Sequence, residues 1–333
     1  MDYQNICKKL IQPLPSRYQD VIANRFGLGG GTKTTLQAIG NKYNITRERV
    51  RQIQNRALSL IKQTNKKIIE EAAKEIEYVL KKEGGIKRED ILLEKVDKEN
   101  ANEVFFLLHL ADPFYRGGGN EKIHFVWSIG KEKVDEAEQF ITDIIEQLED
   151  IGEPVSLVDL DIPKNLDRKW INSVIEASKT IQFTRDDLVG LYFWPEVNPK
   201  YIRDKAYYVL KREGKPLHFV DIAKKINEIF FQNDKRAQTN VKTVHNELIK
   251  DERFVLIGRG LYALSEWGYQ PGFTKEIIAR VLKEAGKPLS FEEIKNKVLL
   301  QRKIKENTII SVLYNNRNIF LRTEDGKYYL KDE

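Results

Sequence analysis

Apolar positions between residues 35 and 62 recur at helical spacing. Leu36, Ile39, Ile45, Val50, Ile53, Ala57 and Ile61 fall in two short runs with gaps of three or four residues, which predicts two amphipathic helices sharing one apolar face. Asn44, a residue that tolerates the left-handed backbone of a tight turn, lies between them. Thr46 stands where the second helix needs an N-cap. On that helix Arg47, Arg51 and Asn55 form one i,i+4 row and Glu48, Gln52 and Arg56 the next, both turned away from the apolar stripe. Upstream, the pattern predicts a short helix over 1–13, another over 16–28 ending at Gly27, and a flexible hinge at the triple glycine 29–31. Downstream, Ile68, Ile69, Ala72, Ile76, Val79 and Leu80 give 62–82 an apolar stripe, predicting one long charged helix that continues from the recognition helix.

The remaining chain repeats itself. AYYVLKREGKPLHFVDIAKKI at 206–226 aligns with ARVLKEAGKPLSFEEIKNKV at 279–298, and each copy closes on a glycine-centred hairpin, FVLIGRGLYALSEW at 254–267 and FLRTEDGKYYLKD at 320–332. Each copy reads as helix, turn, helix, helix and a two-stranded wing. Weaker copies open at 77–96 and 144–162 and close at 122–130 and 190–196. Their marker glycines Gly84, Gly152, Gly214 and Gly286 lie 68, 62 and 72 residues apart, a period that fits one winged helix each. The expected fold is therefore mainly α with small β wings. A helix-turn-helix head at 1–66 precedes tandem winged-helix units at 67–135 and 136–200, both degenerate, and at 201–272 and 273–333.

Charge distinguishes these units. The chain carries 56 Lys and Arg against 50 Asp and Glu, but residues 1–66 hold 12 against 3, net +9, leaving −3 for the rest. A field that attracts phosphate is thus concentrated on the head. Residues 136–200 hold 6 against 14, net −8, and are expected to face protein or act as a spacer. The last two units are each 13 against 9, net +4. On the second helix of the head, the exposed rows offer donors for guanine O6/N7 and adenine N7 and an acceptor for cytosine N4, an inventory suited to reading bases.

Leu14-Pro15, Arg17, Val21, Arg25-Phe26-Gly27-Leu28, Thr35-Leu36, Ile39-Gly40, Thr46 through Ile53 (TRERVRQI) and Ala57-Leu58 together resemble region 4 of bacterial vegetative sigma factors. The resemblance implies that the second helix lies in the major groove of a minus-thirty-five promoter element, with Arg47, Glu48, Arg51 and Gln52 facing the bases. It places Arg25, Thr46, Arg49, Arg56 and Lys62 on the DNA backbone. This chain departs from the family at Leu36-Gln37-Ala38, where sigma factors commonly have Leu-Glu-Glu. The third winged unit, with Gly214-Lys215-Pro216-Leu217-His218 and Gly260-Leu261-Tyr262-Ala263-Leu264, resembles the HARE-HTH module of chromatin proteins, restriction systems and the delta subunit of bacterial RNA polymerase. That likeness implies contact with DNA or the transcription machinery. Third helices at 240–248 and 307–314 would carry such contacts, with Lys242, His245 and Arg259 as a second DNA surface and Arg302, Lys303 and Lys305 as further cations.

Catalytic patterns are not expected. His109, His124, His218 and His245 fall in separate units without ligand spacing, so neither a metal nor a cofactor is anticipated. The triple glycine lacks the following Gly-Lys-Ser/Thr of a phosphate loop. The single Cys7 points to a reducing compartment, and no apolar run approaches the roughly 18 residues of a membrane span, so a cytoplasmic protein is expected. The partners expected are double-stranded DNA and RNA polymerase. There is no room before Leu14 for the promoter-melting region of a complete sigma factor. The reading is thus a non-enzymatic transcription factor or polymerase accessory protein. The alternatives are a scaffold docking on polymerase and the non-catalytic DNA-sensing subunit of a restriction or modification system.

Overall fold

In the computed structural model, which describes residues 1–232, 234 and 236–331, the periodic segments of the head become four helices, α1 (Tyr3–Ile11), α2 (Ser16–Phe26), α3 (Leu36–Tyr43) and α4 (Arg47–Thr64). Their ends follow from local chemistry. Gly27 (φ 69°) stops α2 in the left-handed region. Thr35 caps α3 by accepting the Ala38 N–H, and Asn44 (φ 50°) closes it. Val21, Ile39, Val50 and Ile53 form the core of the helix-turn-helix.

Two sequence expectations need correction. The recognition helix does not run on to residue 82: it breaks at Asn65 (φ −123°, ψ 26°), and α5 (Lys66–Lys82) starts afresh. The break lets the stripe of α4 (Ala57, Ile61) and that of α5 (Ile69, Ala72, Ile76, Leu80) turn onto one core, which a straight helix could not do. Nor does the triple glycine hang as a loose hinge. The Gly29 N–H donates to Glu103 Oε1 at 2.9 Å, and Asn102 Nδ2 donates to the Gly27 and Gly31 carbonyls at 2.9 and 3.2 Å. Glycine is needed there for positive φ at Gly29 and Gly30, and a helix some 70 residues downstream ties the loop down.

After the head, one element order recurs. The first copy runs α5, β1 (Ile86–Arg88), α6 (Glu89–Asp97), α7 (Ala101–Leu110), β2 (Phe114–Gly117) and β3 (Val126–Ile129), with strand order β1-β3-β2. The second has α8 (Glu132–Ile151), α9 (Arg168–Ala177), β4 (Ile181–Phe183) and β5 (Val189–Leu191). There a Val155–Val189 bridge replaces the first strand and a 3₁₀ turn, Leu157–Asp159, replaces the middle helix. The third has α10 (Ile202–Glu213), β6 (Leu217–His218), α11 (Phe219–Phe230), α12 (Val241–Lys250), β7 (Phe254–Gly258) and β8 (Leu261–Leu264), ordered β6-β8-β7. The fourth has α13 (Thr274–Ala285), α14 (Phe291–Gln301), α15 (Glu306–Asn315), β9 (Phe320–Arg322) and β10 (Tyr328–Leu330), with a Leu289–Tyr328 bridge as its first strand. The chain is mainly α with small antiparallel wings. Gly84, Gly152, Gly214 and Gly286 all have positive φ, 87°, 81°, 61° and 61°, so the repeated glycine is the left-handed stop of each copy's first helix.

Contacts divide the chain into two compact parts, 1–193 and 194–333. In the first, head and first winged helix share a single core. Tyr3, Cys7 and Leu10 of α1, Ile22 and Phe26 of α2, and Ala57 and Ile61 of α4 pack with Val104, Phe106 and Leu107 of α7. The third helix of the second winged helix is buried in turn: Trp170, Ile171, Val174 and Ile175 of α9 are at most 6% exposed. The Ser173 hydroxyl donates to the Glu83 carbonyl at 2.7 Å, and buried Lys87 sits between Glu83 and Glu176 at 2.7 and 2.5 Å. The wing of the first copy also reaches the second, through the His124 N–H to the Ala177 carbonyl at 2.9 Å.

The second part is joined similarly. Arg302, expected as a DNA-facing cation, is only 5% exposed. It donates to the carbonyls of Leu256, Gln270 and Gly272, while the Lys303 N–H bonds the Ile257 carbonyl at 3.0 Å. Arg302 is therefore a strut between the third and fourth copies, since its buried guanidinium takes backbone carbonyls as its acceptors.

A Cβ at Gly84 would lie 2.5 Å from the Trp170 backbone. Gly84→Ala is expected to cost about 1–3 kcal/mol and to speed amide hydrogen exchange in α9; unchanged protection there would contradict this packing. At Glu83 burial raises the pKa, but hydrogen bonds from Lys87 and Lys95 outweigh it and leave the carboxyl below its ordinary range. A depressed folded pKa gives stability that is present above the unfolded value of about 4.3 and lost as pH falls through the folded value. Glu83→Gln should therefore make acid unfolding less steep below that pH, measured as the thermal midpoint against pH.

Candidate nucleic-acid interface

The reading helix is built from its cap outward. Thr46 Oγ1 accepts the Arg49 N–H at 3.1 Å, satisfying one of the first-turn donors. Val50, Ile53, Ala57 and Ile61 then turn inward, each at most 4% exposed. That orientation leaves Arg47, Glu48, Arg49, Arg51, Gln52, Asn55 and Arg56 on the open side, all exposed. The turn before α4 is tight. A Cβ on Gly40 would come within 2.7 Å of the Ile45 carbonyl, so α3 approaches the turn as closely as it does because residue 40 has no side chain. The Tyr43 hydroxyl and Lys42 Nζ both bond Asp20, which fixes α3 on α2.

The exposed rows are ordered by their own pairing. Arg51 Nε and Nη2 fork onto the Glu48 carboxylate at 2.8 and 2.7 Å, and Arg49 Nη1 donates to Gln52 Oε1 at 3.0 Å. The hydrogen bond from Arg51 holds the Glu48 carboxyl below its usual range, and the same bond raises Arg51, so both are charged at neutral pH. The pairs are solvated and readily exchanged for other partners.

The other expected backbone contacts are spread more widely. Lys62 pairs with Asp112 at 3.2 Å. Arg25 is half-buried, and its Nη1 donates to the Thr34 carbonyl at 3.3 Å, bracing the loop ahead of α3. In the third winged helix, Lys242 and Arg259 are exposed. His245 is instead stacked on Phe219, 4.3 Å between ring centroids at 21°, with His218 against the same phenyl ring at 4.5 Å. Lys33 was not singled out from the sequence. Its ammonium lies 3.6 Å from the ring centroid of Phe105 on α7, a residue 72 positions away, and no local pattern could have announced that contact.

Residues 10–63, which carry this geometry, match the family model of sigma-70, region 4. Residues 201–267 match the family model of the HARE-HTH domain, a helix-turn-helix domain described from ASXL and restriction endonuclease proteins. The region 4 segment is 41% identical over 59 residues to the RNA polymerase sigma factor SigA of Nostoc sp., covering 18% of this chain and 15% of that protein. It is 44% identical over 50 residues to SigA of Clostridium acetobutylicum, covering 15% and 13%, and 40% identical over 62 residues to the sigma factor RpoS of Coxiella burnetii, covering 19% and 18%. The chain thus spans less than a fifth of the length of these relatives. Among the described residues, no helix is long and apolar enough to cross a membrane.

Thr46→Ala removes the cap of the region 4 reading helix. It is expected to cost about 1 kcal/mol and to raise hydrogen exchange at the Val50 and Arg51 amides first, with the α7 amides unchanged; uniform loosening of both helices would count against a local cap.

Proposed function

We propose that this protein is a sequence-specific DNA-binding transcription factor or RNA polymerase accessory protein that reads promoter-type DNA with α4 in the major groove. The observation that carries the reading is the division of labour on the head. Both polar rows of α4 are exposed, whereas the apolar face formed by α1, α2 and the far end of α4 is filled from within the chain by α5 and α7. In this reading Arg47 and Arg51 donate to guanine, Gln52 pairs with adenine and Glu48 accepts from cytosine. Thr46, Arg49, Arg56, Lys62 and Arg25 set the register on phosphates. Binding exchanges the Glu48–Arg51 fork for base edges, so a wrong base leaves one of the pair without a partner.

The same division bears on the runner-up, a scaffold whose head docks on polymerase. The apolar surface such docking would use on α1 and α2 is already covered, which favours DNA for the head and leaves polymerase contacts to other modules. We read those modules as winged-helix units at 67–135, 136–200, 201–272 and 273–333. In the third, Lys242 and Arg259 are the exposed cations of a second DNA surface, with His245 supporting the helix behind them. Membership of a restriction or modification system would add a catalytic partner without changing the role of α4.

Binding of the full chain to a duplex carrying a minus-thirty-five-type element and to a scrambled duplex tests the proposal by fluorescence anisotropy. The unmodified protein should prefer the element, and Arg51→Ala/Gln52→Ala should lose about 1–3 kcal/mol of preference per base contact removed, with non-specific binding retained. Equal binding of both duplexes by the unmodified protein would sink base reading and revive the scaffold. The full chain is required because residues 1–66 share their core with α7.

A further inference from the structure

We propose that the loop ahead of α3 and the wing of the first winged helix form a second contact with the DNA backbone, in which Lys33 and Arg116 take phosphate oxygens beside Arg25. The inference rests on the base-reading role proposed for α4. In a helix-turn-helix the first helix crosses the backbone beside the groove that the second helix fills. Lys33 lies two residues before Thr35, the N-cap of that first helix, and Arg25 braces the same loop through the Thr34 carbonyl.

The side chains there are arranged as an anion site with one carboxylate too few. Lys33 is exposed on one side and rests on the Phe105 ring on the other. Among the described residues, no carboxylate lies within ion-pair distance of it. Burial against the ring lowers its pKa; Glu89 opposes this, while Arg116 and Arg25 add to it. Arg116 on β2 forks onto Glu89 through Nε and Nη2 at 2.5 and 2.8 Å, which leaves Nη1 for another acceptor. Its guanidinium is held 4.0 Å from the ring centroid of Phe125, a phenyl 47% exposed. Glu89 also accepts the Trp127 indole N–H at 2.9 Å. Three cations therefore share one carboxylate, and an anion lying on Lys33 and Arg116 would relieve their repulsion. A duplex held by α4 presents such anions as a row of phosphodiesters. The inference also gives the first winged helix a route to DNA through its wing, since its third helix, α7, is spent on the core of the head.

The test uses the full chain with Lys33→Gln, and with Lys98→Gln as a control at an exposed lysine paired to Glu94 on α6. Affinity is measured against salt on the element and scrambled duplexes. Lys33→Gln is expected to weaken both duplexes several-fold and to reduce the slope of log affinity against log salt by about one, with the ratio between duplexes unchanged and Lys98→Gln indistinguishable from the original. Arg116→Gln should do the same, with its thermal midpoint recorded because the change leaves Glu89 without its fork. If Lys33→Gln leaves affinity and slope unchanged while the unmodified protein still prefers the element, this site is overturned and base reading stands. If the slope falls but the unmodified protein shows no preference, base reading falls and the phosphate site stands.

Discussion

The edge-on contact of Phe106 with Phe26, 4.9 Å between ring centroids at 62°, marks the constraint on which the first part of the molecule depends. A helix-turn-helix of some sixty residues buries too small a fraction of its surface to be stable with ease, and the small core around Val21, Ile39, Val50 and Ile53 leaves apolar side chains of α1, α2 and α4 in need of cover. Helix α7 supplies it. In a winged helix that element is the one free to enter a groove, so closing the head removes a reading helix from the first winged unit. The second unit repeats the exchange. Its third helix, α9, lies against β1 and the Gly84 turn, and the pairing of Lys87 with Glu83 and Glu176 makes that seam polar and directional. Both third helices of the first part hold modules together, and the exposed polar face on α4 is left to meet DNA.

Much of this was legible in the sequence where the deciding interactions are local. Helical spacing located α3 and α4, Asn44 and Thr46 marked the turn and the cap, and the recurring glycines marked four helix stops because each needs a positive φ. The burial of α9 was also written there, in Trp170, Ile171, Val174 and Ile175, which leave little of the helix surface polar; α7, with Val104 through Leu108 apolar, carries the same sign. What could not be read was set by distant partners. The Asn65 break follows from two stripes needing one core, and the triple glycine is fixed by Asn102 and Glu103. Arg302 resembles any surface cation until the carbonyls of Leu256, Gln270 and Gly272 surround it. Arg25 shows both sides at once, since its sequence position suggested phosphate and its geometry adds a local brace for the loop before α3.

The charge pattern takes on physical meaning once the modules are placed. A head of net +9 followed closely by a unit of net −8 does not cancel at the surface that DNA would touch, because screening limits each field to about 8 Å at physiological salt. At longer range and lower salt the two act as a dipole, which turns the head rather than the acidic unit toward a polyanion during approach. The acidic unit thereby favours one orientation of encounter at little cost to the bound state. Discrimination has a different source. Glu48 and Arg51 satisfy one another in the free protein, so opening the fork is worthwhile only where a base pair supplies both an acceptor and a donor in place of the lost partners. The attraction that brings α4 to a duplex is blind to sequence, and selectivity arises from the difference between duplexes that replace the Glu48–Arg51 pair and those that leave it half-satisfied.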